Sequence, residues 1–169
     1  MTRTQRLTHL ALLTAVALIL FVIEAQIPAP VPIPGIKLGL ANIITLVALY
    51  LYGPRSALAV LLTRILLGSF FAAQMMTLFF SLAGGLLCFA VSALLYRRFS
   101  VKTCWILSMI GAIFHNIGQI LVAMAVTGTP DVLWYLPPLV VSGLITGCFT
   151  GFAARFFLAH LEGLTTHAK

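Results

Sequence analysis

Long apolar runs dominate this chain and follow one another with little polar sequence between them. Six can be cut out, at about residues 7–26, 38–52, 56–73, 77–96, 103–126 and 132–159. Most reach the roughly 20 residues that an α-helix needs to cross the hydrocarbon core of a bilayer. Lipid offers no water to backbone N–H and C=O groups, so such runs are confined to helices that bond internally. Only 8% of the residues are charged and 62% are hydrophobic, against about 25% charged in an ordinary soluble domain. The expectation is an all-α integral membrane protein, a six-transmembrane-helix bundle forming a single transmembrane domain over residues 1–169.

Arg3 and Arg6 before the apolar run Leu7 to Ile23 resemble the start of a signal peptide. That run is too long for an ordinary signal core and no convincing cleavage site follows, so it reads as the first span. Placing the N-terminus in the cytoplasm puts Arg3, Arg6, Arg55, Arg97, Arg98, Lys102, Arg155 and Lys169 inside and only Lys37 outside. Positive residues favour the cytoplasmic side, so both termini are expected in the cytoplasm of a multi-pass protein of the cell (plasma) membrane. Loops 27–37, 74–76 and 127–137 then face outward. The net charge of +7 follows from this topology. Its basic residues form no dense stripe with interleaved aromatics, so nucleic acid is not a partner.

The first outer loop, "IPAPVPIPGIKLG", has four prolines in seven residues and should be stiff and extended. It reads equally as a fixed cover over an outward cavity or as a spacer. Trp134 and Tyr135 in the last outer loop suit the aromatic belt at the membrane interface. Gly143, Gly147 and Gly151 in the sixth segment, and Ala11 with Ala15 in the first, repeat every four residues. Small residues at this spacing let another helix approach closely, within the bundle or from a partner.

Arg64, in "LLTRILLG", is the most informative polar residue. Counted from Arg55 at the inner boundary it lies about 13 Å deep. A guanidinium there costs at least ~2.5 kcal/mol and must face a partner or a wet cavity. Acidic residues are scarce: Glu24, Asp131 and Glu162 are all there are. Glu24, near the outer end of the first helix, is the available ion-pair partner, and an anionic or carbonyl-bearing ligand is the other. "IFHNIGQIL" sets His115 and Gln119 four apart and Asn116 and Gln119 three apart, so the three polar groups are expected to share one face of the fifth helix. With Asn42 and Thr45 of the second helix and Gln26 at the top of the first, they are candidates to line a cavity open to the outside. Hydrogen bonding between helices is the alternative, and for Asn116 alone the preferred one.

Nothing points to catalysis. Magnesium-dependent prenyl or phosphoryl transfer needs clustered carboxylates, and these are missing, as are a GxSxG elbow, a P-loop and a paired His–Glu motif. Cys88, Cys104 and Cys148 fall in separate segments without metal-ligand spacing, and read as packing residues. We therefore expect no enzyme, no metal site and no directly bound cofactor.

The stretch "PGIKLGLANIITLVALYLYGPRSALAVLLTRILLGSFF", preceded by "ALLTA", resembles the substrate-binding S components of energy-coupling factor (ECF) transporters. More narrowly it resembles the small membrane family called Gx transporter or heptaprenyl diphosphate synthase component I. This implies a bundle that takes a small vitamin-like, isoprenoid- or quinone-related molecule from outside. It also implies a transmembrane coupling subunit and cytoplasmic ATPases as partners, which would hydrolyse the ATP. The family's AxxxA docking motif matches Ala11 and Ala15, and its closing loop matches Pro28 to Lys37. The "synthase" label sits badly with the missing aspartate clusters. A membrane subunit of a flavin- or quinone-linked electron-transfer assembly, or a non-catalytic accessory of polyprenyl diphosphate synthesis, remain alternatives.

The topology is checked by single-cysteine labelling after the native cysteines are replaced. Ser100→Cys should react only from the cytoplasmic side and Thr129→Cys only from the outer side, and the reverse pattern would invert the assignment.

Overall fold

The computed structural model describes residues 2–24, 26–27, 39–72 and 75–167. Six α-helices follow one another: α1 Arg3–Glu24, α2 Asn42–Tyr52, α3 Pro54–Ala72, α4 Met75–Leu95, α5 Cys104–Thr127 and α6 Leu136–His167. Short 3₁₀ turns at Tyr96–Arg98, Val101–Thr103 and Pro130–Tyr135 connect the last three. All but α2 are long and apolar enough to cross a membrane; the chain is a multi-span membrane protein.

The second helix departs from the expected six full spans. Its 11 residues reach about 16 Å, roughly half the hydrocarbon thickness. At its end Gly53 takes φ +79 and bonds its N–H to Leu49 O, after which Pro54 opens α3, a first-turn position where its missing N–H costs nothing. At its start Gly39 takes φ +83 and accepts the Asn42 N–H at 3.0 Å. Ile44 to Leu49 are buried without exception, so α2 is enclosed on all sides rather than striped. The proline-rich segment expected to cover the site, Pro28 to Lys37, lies outside the described residues, as does part of the loop at 74–76.

The tightest packing joins α4, α5 and α6. The glycine stripe of α6 faces inward against α5: a Cβ on Gly147 would come within 2.8 Å of Met109 Cα, and one on Gly151 within 2.4 Å of Trp105 Cα. Backbones approach this closely only where no side chain intervenes. Ser108 and Thr150 hydroxyls bond at 3.0 Å across the seam, and the Trp105 and Phe152 rings stack at 5.4 Å.

In contrast, α1 is peripheral. It buries Thr14, Ala17, Phe21 and Glu24 against the bundle and leaves Ala11 and Ala15 exposed. Its N-terminal end is tied down by Arg6, whose Nη2 donates to Ser56 Oγ at 2.6 Å.

The seam can be tested by a contrast on one helix. Gly147→Ile should overpack α5 against α6 and lower stability by about 1–3 kcal/mol or more. Ile145→Ala, at a position 66% exposed, should leave thermal unfolding in detergent nearly unchanged. Equal effects would remove the seam from its role.

Candidate functional site

Arg64 sits about 15 Å along α3 from Pro54, deep in the bundle and 4% exposed. Its Nη2 donates to Asn42 Oδ1 at 3.1 Å. A guanidinium has only donors, so the oxygen of the Asn42 amide must face it and the Nδ2 must face the other way. There it lies 3.2 Å from His115 Nδ1. The amide donates, so Nδ1 accepts, and in the neutral imidazole the proton is on Nε2. One asparagine, the first residue of α2, thus orients both a cation on α3 and a histidine on α5.

Two glycines make room for the imidazole. A Cβ on Gly39 would come within 3.0 Å of His115 Cδ2, and one on Gly84 of α4 within 2.8 Å of His115 Nδ1. The Gly39 N–H in turn donates to the Glu24 carboxylate, so the C-terminal end of α1 is tied to the turn that starts α2. Glu24 also stands close enough for its charge to act on Arg64. The two residues expected either to pair or to share a ligand therefore belong to one cluster.

Phe21, Glu24, Arg64, Ser81, His115 and Gln119, with Gly39, line a small cavity. It offers about 10 Å³ to the centre of a water, which is space for about one molecule. Arg64 Nε, His115 Nε2 and Gln119 Oε1 are buried there without a hydrogen-bond partner among the described residues. Each such group costs about 1–3 kcal/mol, more if charged, when left unmet. Two of the three are donors, so what they await is an acceptor.

Of the residues singled out in the sequence, Glu24, Asn42, Arg64, His115 and Gln119 meet here. Asn116 does not: its Nδ2 donates to Leu139 O of α6 at 2.5 Å, the interhelical bond. Gln26 is exposed just beyond α1, with its backbone N–H bonded to Ile23 O. Sequence reading missed Phe21, Gly39, Ser81 and Gly84. The adjacent Gly84 and Gly85 within an otherwise apolar α4 were the available signal of close approach. No three His, Cys, Asp or Glu side chains gather to hold a metal among the described residues.

The sequence model of the heptaprenyl diphosphate synthase component I family matches residues 13–157, a span that holds the whole cluster. The chain belongs to that family. No curated protein matches it. In this component I family member the matched span includes Ala15 and begins after Ala11.

The asparagine bridge makes a specific prediction. Asn42→Ala strips an acceptor from Arg64 and a donor from His115, and should destabilise the chain by about 1–3 kcal/mol. Denaturant titration in micelles measures this, and an unchanged midpoint would show that the bridge does not hold α2 in place.

Proposed function

We propose that this chain is the membrane-embedded, substrate-binding subunit of an ECF-type uptake system, similar to an S component. It captures a small anionic or polar molecule from outside and catalyses no reaction itself. The observation that carries the reading is the buried cavity in which Arg64 Nε, His115 Nε2 and Gln119 Oε1 have no partner among the described residues. A polar void of this kind in a membrane protein is costly unless something binds there. Its position supports the same reading. The cluster lies toward the C-terminal end of α1, which is the outer half if the cytoplasm holds both termini.

A partner surface fits as well. Ala11 and Ala15 line an apolar groove with Leu18 of α1 and Ala59, Thr63 and Leu67 of α3. Small side chains flanked by leucines admit a closely packed helix, as a transmembrane coupling subunit would supply. Cytoplasmic ATPases joined to that subunit would then hydrolyse ATP.

The family's description favours a second reading, a non-catalytic accessory of heptaprenyl diphosphate synthesis. Charge argues against a diphosphate at this site. Glu24 lines the same cavity as Arg64, so a multiply charged head group would meet one cation beside an anion.

Two measurements test the proposal. Native mass spectrometry of the purified chain should retain a small polar molecule that Arg64→Ala and Gln119→Ala lose, each deletion costing about ten- to a hundredfold in affinity. Loss of folding in Arg64→Ala rescued by Glu24→Gln would instead make the pair structural. Ala15→Trp should abolish co-purification with an ECF coupling module while ligand binding persists. Failure of the native chain to associate at all would favour the accessory or electron-transfer readings.

A further inference from the structure

Beyond Asn42 lies a second cavity, enclosed by α2, α4, α5 and α6, offering about 30 Å³ to water centres, space for about two molecules. Asn42 and the hydroxyls of Thr45, Ser92, Ser108, Thr146 and Thr150 line it, and no charged side chain does. Gly39 lines both cavities. The two therefore adjoin at a residue without a side chain.

Hydrogen-bond accounting leaves three hydroxyls of this second chamber as acceptors. Thr146 Oγ1 donates to Ser142 O at 2.9 Å, and Thr150 Oγ1 donates to Thr146 O at 2.8 Å. A hydroxyl has one proton and two lone pairs, so both threonines have only lone pairs left to offer. Ser108 lies 3.0 Å from Thr150 Oγ1, whose proton is already committed, so Ser108 is the donor and its oxygen too is left as an acceptor. Thr45 Oγ1 is buried without a partner among the described residues. The first cavity presents unmet donors from Arg64 and His115 and an unmet acceptor in Gln119 Oε1; in the second, Ser108, Thr146 and Thr150 present acceptors, while Thr45 keeps its proton as well as its lone pairs.

What meets acceptors is a cation or a neutral donor, and the neighbourhood decides between them. Arg64 is bonded at 3.1 Å to Asn42, which itself lines the second chamber. A like charge so near, in a medium of low dielectric, is repelled. We infer that the substrate is bifunctional, with a carboxylate or carbonyl group against Arg64 and His115 and a neutral hydroxyl or N–H donor among Thr45, Ser108, Thr146 and Thr150. This rests on the reading that the Arg64 cavity holds the substrate.

Matched acids provide the probe. Thermal-shift titrations of the purified full chain compare acetate with glycolate, propionate with 3-hydroxypropionate, and butyrate with 4-hydroxybutyrate. Within each pair only the terminal hydroxyl differs, and the series varies its distance from the carboxylate. At one length the hydroxy acid should bind about tenfold tighter than its partner. The Thr45→Val/Thr146→Val double variant should erase that gain and keep the affinity for the simple acid; Ser108→Ala serves if the double variant does not fold. Should the simple acids bind through Arg64 while no length gains from the hydroxyl, or should the gain survive these variants, the second chamber has no such role and the Arg64 site stands. If none of the six probes shifts the native chain, the Arg64 reading falls and this inference falls with it.

Discussion

A guanidinium in the interior of a membrane bundle must be satisfied by the protein around it, because no water is there to do so. The arrangement at the centre of this chain follows from that demand. Arg64 takes the oxygen of Asn42, which turns the amide nitrogen toward His115. The bridge holds the first turn of α2 at mid-bundle. Glu24 holds the turn before it through the Gly39 N–H, and its charge acts on Arg64 as well. A half-length helix that starts inside the bundle is thereby anchored from α1, α3 and α5. Such interrupted helices are where membrane proteins place polar sites, since irregular backbone at that depth survives only beside a cavity or within protein.

The rest of the bundle divides the mechanical roles. Glycines draw α6 onto α5, and Gly118 of α5 onto the α4 backbone near Ala83. That half carries His115, Gln119 and the hydroxyls of Ser92, Ser108, Thr146 and Thr150. On the other side, α1 buries one stripe against the bundle and shows apolar side chains and small residues elsewhere. The cavity is thus bordered by closely packed helices on one side and by a peripheral helix on the other. Glu24, at the end of α1, is the physical link between them.

Much of the polar cluster was legible from residue type alone. Glu24, Asn42, Arg64, His115 and Gln119 stand out because each is expensive in an apolar segment, and expensive groups gather where they can meet. Asn116, for which an interhelical bond was the preferred reading, makes that bond for a geometric reason. His115 and Gln119 are one turn apart and nearly in line, whereas Asn116 is rotated about 100° from His115, enough to aim it at Leu139 of α6. Gln26 was misplaced because α1 stops at Glu24, leaving it exposed past the helix end.

Hydropathy by itself determined that this chain is helical and spans a membrane, because unpaired backbone groups in lipid leave no other solution. It also determined that the buried charge on α3 had to be answered from within. Which neighbours answer it was decided only by tertiary structure. The truncation of α2 depends on two glycines at positive φ, the inward face of the α6 glycine stripe depends on where α5 lies, and the acceptor character of Thr146 and Thr150 depends on their hydroxyl protons being already engaged. A sequence gives each residue its donors, acceptors and volume. Only the fold settles which of them are already used.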